Sequence, residues 1–299
     1  MGFTVVAGVD GSPASLAAAR YAAGVAARRA GSLTLVHGFI DPLGYGVLGP
    51  MALPVASPDP GADGEVLLAD AVELVAADFP RLTIRTILAP DSGTTALIDQ
   101  SRKADLVVVG HRGMGGFPEL LLGSVGAQVV AYAHCPVVVH RPTVDLPADA
   151  PVVVGVDGAE GADAVVGFAF DEAAARGLPL NAVHVYLSVD EGSAARAEGV
   201  LNAAVAPWEA RRPGVRVRRD ARGVRLDEPA WGWHTGPTAS AEAIFVAASR
   251  RSALVVVGAR GRGGFSGLLL GSVSQALVHH AHCPVAVVRD EEPTGPEKT

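Results

Sequence analysis

Along the chain, short apolar runs alternate with longer stretches in which apolar residues recur at helical spacing. Leu106-Val107-Val108-Val109 shows the first kind: four apolar residues without alternation, too short for a helix. Such runs are expected of strands covered on both faces. They predict strands at 3–9, 33–37, 82–88, 106–109 and 137–140, and again at 152–156, 180–185, 215–220, 254–257 and 285–288. After the first strand, Ser12 is the predicted N-cap of a helix, with Pro13 in its first turn, an alanine-rich body and Gly31 as its stop. Strand and helix alternation with buried strands predicts a doubly wound parallel sheet.

The pattern occurs twice. Val5-Val6-Ala7-Gly8-Val9-Asp10-Gly11 returns as Val152-Val153-Val154-Gly155-Val156-Asp157-Gly158. Gly110 to Arg141 returns as Gly258 to Arg289, with 20 of 32 positions identical. A period near 147 residues is too long for a solenoid and fits a duplicated domain. The expected domains are 1–143 and 151–290, joined by the proline-bearing stretch from Pro142 to Pro151 and followed by a polar tail from Asp290 to Thr299.

Composition narrows the function. Of the 299 residues, 49% are hydrophobic and 18% charged, as in a compact chain able to bury two cores. The net charge of -7 has the wrong sign for a general nucleic-acid binder, which needs clustered Lys and Arg. Lysine occurs only at positions 103 and 298, which removes mechanisms that need one. Cys135 and Cys283 stand in matching His-Cys-Pro contexts without a CxxC pair, which fits a reducing compartment. Met1 to Asp10 lacks the features of a signal peptide, and no apolar run reaches membrane-spanning length. A cytoplasmic protein is expected, without membrane or nucleic acid among its partners.

Ligands on open parallel sheets bind beyond the carboxyl ends of the strands, where the winding reverses. With five strands per copy, the reversal most simply brings the fourth strand back beside the first. The loops leaving those strands would then meet. One is Gly8-Val9-Asp10-Gly11; the other is Gly110-His111-Arg112-Gly113-Met114-Gly115-Gly116-Phe117. Glycines without Cβ let backbone N–H groups approach an anion. Gly123-Ser124 then opens a helix whose free N–H groups and dipole favour a phosphate. The second copy repeats this as Gly155, Asp157, Gly258, Ala259, Arg260, Gly261, Arg262, Gly263, Gly264 and Gly271-Ser272. A glycine-rich turn needed only for tight packing is the competing reading. Asp10 and Asp157 could accept hydrogen bonds from an adenine amine or a ribose hydroxyl, or serve only as turn residues. His37 and His184 end the second strands, where they could touch a nucleotide or be satisfied structural residues.

The spacing Gly110-x2-Gly113-x9-Gly123-Ser124, repeated as Gly258-x2-Gly261-x9-Gly271-Ser272, resembles the ATP-binding motif of the universal stress proteins. The Gly-Val-Asp-Gly openings and His-Cys-Pro-Val closings resemble the same family, over nearly the whole chain. The resemblance implies two tandem doubly wound five-stranded parallel sheets, adenine nucleotide alpha hydrolase-like, packed as an internal pseudo-dimer that assembles into a homodimer. It implies ATP, with or without Mg2+, as the ligand. Asp10 and Asp157 would contact the adenosine end, and Gly8 and Gly155 would leave room beside the nucleotide. Loops 110–116 and 258–264, with Gly123-Ser124 and Gly271-Ser272, would hold ribose and phosphates. The second copy departs from the pattern: Ala159 and Ala162 replace Ser12 and Ser15, and Ala253 replaces Asp105. Leu226 to Thr238, with Trp231 and Trp233, has no counterpart; the Trp pair could cover a ligand, but a local core is expected first.

Other chemistries fit less well. GxxxxGK[ST] is absent, and Lys103 lies outside any kinase context. Gly44-Tyr45-Gly46-Val47-Leu48-Gly49 matches a dinucleotide string, but prolines follow where that motif needs a helix. His279, His280, His282 and Cys283 lack a matching set in the first copy, so no metal is expected. There is no GxSxG elbow. No repeated base is placed to activate water, so no catalytic residue is assigned and hydrolysis would be slow at most. A nucleotide-dependent regulator of stress survival or growth restraint, acting on a downstream protein, is expected first. A slow ATPase or phosphoryl-transfer enzyme, and a scaffold with structural loops, stand behind it.

Overall fold

The structure, a computed structural model, describes residues 2–39, 59–113, 122–143, 145–159, 162–224, 240–261 and 269–289. The Gly44–Gly49 string, Trp231 and Trp233, and the tail from Asp290 lie outside the described residues. So do the site candidates Met114, Gly115, Gly116, Arg262, Gly263 and Gly264. The chain divides into two units, Met1–His140 and Arg141–Thr299.

The first unit runs β1 (Thr4–Gly8), α1 (Pro13–Arg28), β2 (Ser32–Gly38), α2 (Pro60–Asp78), β3 (Thr83–Ala89), α3 (Gly93–Ser101), β4 (Leu106–Gly110), α4 (Ser124–Tyr132) and β5 (Val137–His140). Its strands stand in the order β3-β2-β1-β4-β5, all parallel. The expected reversal therefore lies between β1 and β4, where Val5, Val6 and Ala7 align with Leu106, Val107 and Val108. α1 packs with α2 and α3 packs with α4, which covers the two faces of the sheet. The core explains the sequence pattern: Val5, Leu33, Leu35, Leu106, Val107 and Val108 are fully buried. Ala18, Ala19, Ala22, Ala23 and Ala26 form the buried side of α1, where methyl groups let the helix lie close to the strands.

The second unit repeats this with β6 (Val152–Gly155), α5 (Ala162–Arg176), β7 (Leu180–Leu187), α6 (Ser193–Arg211), β8 (Val217–Val224), α7 (Ala241–Ser249), β9 (Leu254–Gly258), α8 (Ser272–His280) and β10 (Val285–Val288). Its order is β8-β7-β6-β9-β10, again all parallel. Among the described residues no helix is long and apolar enough to cross a membrane.

The start of α1 is as expected: the Ser12 side chain accepts the Ser15 N–H, and Pro13 opens the helix. Its end differs. The residue in the left-handed region is Ala30, with φ 49°, and Gly31 follows it. The Gly31 N–H bonds back to the Ala26 carbonyl at 2.8 Å, closing the turn. Gly31 is needed for another reason: a Cβ there would drive into the Phe3 carbonyl. In the second unit Gly177, with φ +65°, occupies the left-handed position itself.

Candidate functional site

The two loops meet in each unit. β1 and β4 both end on glycine, and the chain leaves each toward the same end of the sheet. After β1, the Val9 N–H bonds the Val36 carbonyl, and His37 Nδ1 lies 2.8 Å from the Val9 carbonyl. This fixes the exit of the strand just before Asp10. His184 does the same 2.6 Å from the Val156 carbonyl. In each histidine Nδ1 is taken up by the backbone, which anchors the ring at the strand exit.

Asp10 is then turned toward the β4 loop. Its Oδ1 accepts the Ser12 N–H at 3.0 Å, and its own N–H is bonded to Ser15 Oγ at 3.2 Å. A Cβ placed on Gly113 would lie 2.5 Å from Asp10 Oδ2. The carboxylate therefore rests directly against side-chain-free backbone. In the second unit Asp157 Oδ1 accepts the Ala159 N–H at 2.9 Å, and a Cβ on Gly261 would lie 2.8 Å from Asp157 Oδ2. The convergence of the first- and fourth-strand loops expected from strand order is present in each unit.

The far side of each loop is closed by one hydrogen bond. Gly123 N–H donates to the His111 carbonyl at 3.0 Å, and Gly271 N–H to the Ala259 carbonyl at 2.8 Å. A Cβ on Gly123 or Gly271 would sit 3.6 Å from the amide nitrogen of Gly113 or Gly261 respectively. Three backbone segments thus come together: the loop glycine, the helix-opening glycine, and the first turn of α4 or α8. Neither Gly123 nor Gly271 supplies a side-chain cap, and Ser124 and Ser272 are exposed. Such a helix start favours an anion. Arg112 and Arg260 are exposed on the same loops.

Other predicted positions carry packing rather than an open edge. A Cβ on Gly8 would lie 2.7 Å from Leu97 of α3, and one on Gly155 would lie 3.0 Å from Phe245 of α7. Gly110 makes room for the first turn of α1, since its Cβ would meet the Ala14 carbonyl at 2.9 Å. Gly258 makes room for its own loop, at 2.9 Å from the Arg260 carbonyl. The serines of the first opening are buried caps of α1; their replacement by Ala159 and Ala162 removes those bonds and keeps the Asp157 turn. Asp105 lies away from the site, accepting the Thr4 N–H at 2.7 Å where β1 begins. In the second unit Pro151, which has no N–H, takes the place of Thr4, and Ala253 donates to its carbonyl. That departure says nothing about a ligand.

The structure adds His140 and Glu242, which spacing alone missed. In the first unit His111 and His140 adjoin, with His111 Nδ1 3.2 Å from the His140 carbonyl and the Tyr21 ring 5.1 Å from the His140 ring. Burial, and then the neighbouring His111, push His140 down to about 4, so it is uncharged at neutral pH. The register that pairs Gly110 with His140 is the signal for this contact. In the second unit Ala259 and Val288 stand at these places. There, instead, Glu242 in the first turn of α7 takes a hydrogen bond from the Ser272 hydroxyl. That bond, with its own backbone N–H and Ser240, holds its carboxyl below the ordinary carboxylate value. Aligning the caps Ser92 and Ser240 places Thr94 at the equivalent position of α3. Among the described residues no three His, Cys, Asp or Glu side chains come together as metal ligands. A groove of about 370 Å³ lined by Arg211, Arg212 and Arg216 lies at the amino ends of β7 and β8 and takes no part in this site.

Known proteins carry the same plan. A model of the Universal stress protein family matches residues 1–141 and 150–289. A universal stress protein of Mycobacterium tuberculosis is 35% identical over 307 residues, covering 96% of this chain and 96% of its own. One from Mycobacterium bovis is 37% identical over 305 residues, covering 95% and 96%. Among solved structures, a universal stress protein from Archaeoglobus fulgidus aligns with a TM-score of 0.69 at 18% identity, over 96% of this chain and 98% of that one.

Proposed function

The chain belongs to the universal stress protein family, and on that premise we propose that each unit binds ATP, making the protein a nucleotide-dependent regulator. The observation that carries this reading is the contact of Asp10 with Gly113 and of Asp157 with Gly261, beside an uncapped helix start in each unit. A carboxylate there accepts hydrogen bonds from ribose hydroxyls or the adenine amine. A few ångströms away, glycine backbone and the first N–H groups of α4 or α8 take the phosphates. One side of each pocket thus suits the uncharged part of the ligand and the other its anionic part.

Regulation fits better than fast catalysis. Breaking the terminal phosphate bond needs a group that positions water and a cation that follows the developing charge. The repeated residues at the loops provide backbone donors and one arginine each, Arg112 and Arg260, without a repeated base. Bound nucleotide would join the β1 and β4 loops and so set the surface that a downstream partner reads.

Mass spectrometry of the purified protein, followed by calorimetric titration with ATP after the nucleotide is stripped, tests this directly. Expected are retained adenine nucleotide and saturable binding by both units. A protein that neither retains nor rebinds an adenine nucleotide would leave the loops as structural turns. Release of ADP at about 1 s⁻¹ or faster, an ordinary enzyme rate, would replace the regulator with an ATPase.

A further inference from the structure

The two pockets differ most where the phosphates would lie. In the first unit α3 begins Ser92-Gly93-Thr94, with a neutral residue at position 94 of its first turn. In the second unit α7 begins Ser240-Ala241-Glu242. The correspondence is secure because the helices share their hydrogen bonds. Ser92 and Ser240 cap through Thr95 and Ala243, and Ser101 and Ser249 each accept the N–H of the histidine before the cysteine, His134 or His282. α3 packs on α4 as α7 packs on α8. Glu242 is therefore brought to the start of α8, where the Ser272 hydroxyl donates to it.

That position is the one the proposed function gives to the ligand's phosphates. Gly271 leaves the first turn of α8 without a side-chain cap, and Ser272 is its first residue. A fixed carboxylate at such a turn already supplies the negative charge that the helix dipole favours. Each phosphate added to a ligand then brings like charge toward Glu242 and competes for the Ser272 hydroxyl.

Resting on the ATP-site reading above, we propose that Glu242 is a specificity-determining residue. It makes the second unit's pocket bind ATP more weakly than the first unit's and favour adenine ligands with fewer phosphates. The pockets share the adenosine end, built by Asp10 and Asp157 in matching turns. At the anionic end Glu242 stands where the first unit has Thr94, and the loop residues His111 and Met114 become Ala259 and Arg262.

Titrations of the full chain with ATP and with adenosine, in chelator so that the triphosphate keeps its full charge, test this. Gly113→Ala and Gly261→Ala assign each binding event to its unit. Adenosine is expected to bind the two units with similar affinity, and ATP to favour the first. Glu242→Gln is expected to raise the second unit's ATP affinity about tenfold or more, since like-charge juxtaposition in an interface is costly, and to leave its adenosine affinity unchanged. Thr94→Glu is expected to produce the reverse in the first unit. If Glu242→Gln leaves ATP binding at the second unit unchanged, or shifts ATP and adenosine alike, the assignment to Glu242 is overturned while ATP binding stands. If neither ligand binds either unit, the function itself is overturned, and this selectivity with it.

Discussion

Gly113→Ala adds one methyl group at the point where the two loops touch. The glycine is not in the left-handed region, so the effect is steric rather than a matter of backbone strain. The new Cβ would lie 2.5 Å from Asp10 Oδ2, where ordinary contact begins near 3.4 Å. The carboxylate or the loop must therefore move by nearly an ångström. Asp10 cannot swing freely, because its Oδ1 holds the Ser12 N–H at 3.0 Å and its own N–H is bonded to Ser15 Oγ. Inserting a methyl into a packed contact costs about 1–3 kcal/mol. If about half of that falls on the bound state, ATP affinity of the first unit drops about two- to tenfold, at 1.4 kcal/mol per decade. Gly261→Ala places its Cβ 2.8 Å from Asp157 Oδ2, so the loss in the second unit should be smaller. Isothermal titration with ATP measures both, and a thermal melt confirms folding. Gly199→Ala is the matched control, since its Cβ would meet nothing within 4 Å. Unaltered ATP affinity in a folded Gly113→Ala protein would refute the claim that ligand, Asp10 and this loop share one site.

Three further outcomes follow from the scaffold. Ala30→Gly should stabilise the protein by about 0.5–1 kcal/mol, because Ala30 holds φ 49°, where a Cβ costs about 1–2 kcal/mol, partly offset by a freer unfolded chain; urea denaturation reads it, and a lower midpoint would contradict the geometry. Burial pushes the Cys135 and Cys283 thiols from 9.0 up to about 12, so the folded state keeps protons that the unfolded state has released. Stability should then fall as pH rises from about 9 toward 12, at about 1.4 kcal/mol per pH unit for each thiol, and Cys283→Ala should flatten that limb in pH-dependent melts. His140 is held at about 4, below its ordinary 6.5, so its contribution is complete above 6.5 and is lost as pH falls toward 4. His140→Val, the residue type at position 288, should make the acid limb shallower, and an unchanged slope would show that His140 is not kept neutral.

The parts of this architecture that were legible in the sequence are those decided by local chemistry or by repetition. Leu106-Val107-Val108-Val109 is a buried strand because both faces of the sheet are covered, and no polar residue interrupts it. Ser12 and Pro13 start α1 by a rule confined to four residues. The convergence of the β1 and β4 loops was accessible because strand order alone brings them together, while the contact of Asp10 with Gly113 was not. What stayed hidden depends on which atoms face each other across the fold. Gly8 and Gly155 look like openings for a ligand, yet their missing Cβ atoms face Leu97 and Phe245. Gly31 looks like the helix stop, although Ala30 takes the left-handed turn and Gly31 clears the Phe3 carbonyl. Glu242 drew no notice because its meaning comes from α8, thirty residues further on.

The differences between the units separate scaffold from site. Replacing Asp105 by Ala253 leaves no donor stranded, since Pro151 has no N–H to satisfy where Thr4 has one. Replacing Ser12 and Ser15 weakens a helix start and leaves the Asp157 turn in place. Both changes are explained within the unit that carries them. Replacing Thr94 by Glu242 adds a charge instead of removing a bond, at the end of the pocket where ligand charge would gather. Its local benefit is a carboxylate in the first turn of α7, a position worth about 0.3–1 kcal/mol at a helix N-terminus. A residue kept only for that benefit would, on conversion to Gln, lower the melting temperature slightly and leave the ratio of ATP to adenosine affinity untouched. A residue that selects ligands would shift that ratio whatever happened to the melt. The two roles therefore move different observables, and one variant measured both ways separates them.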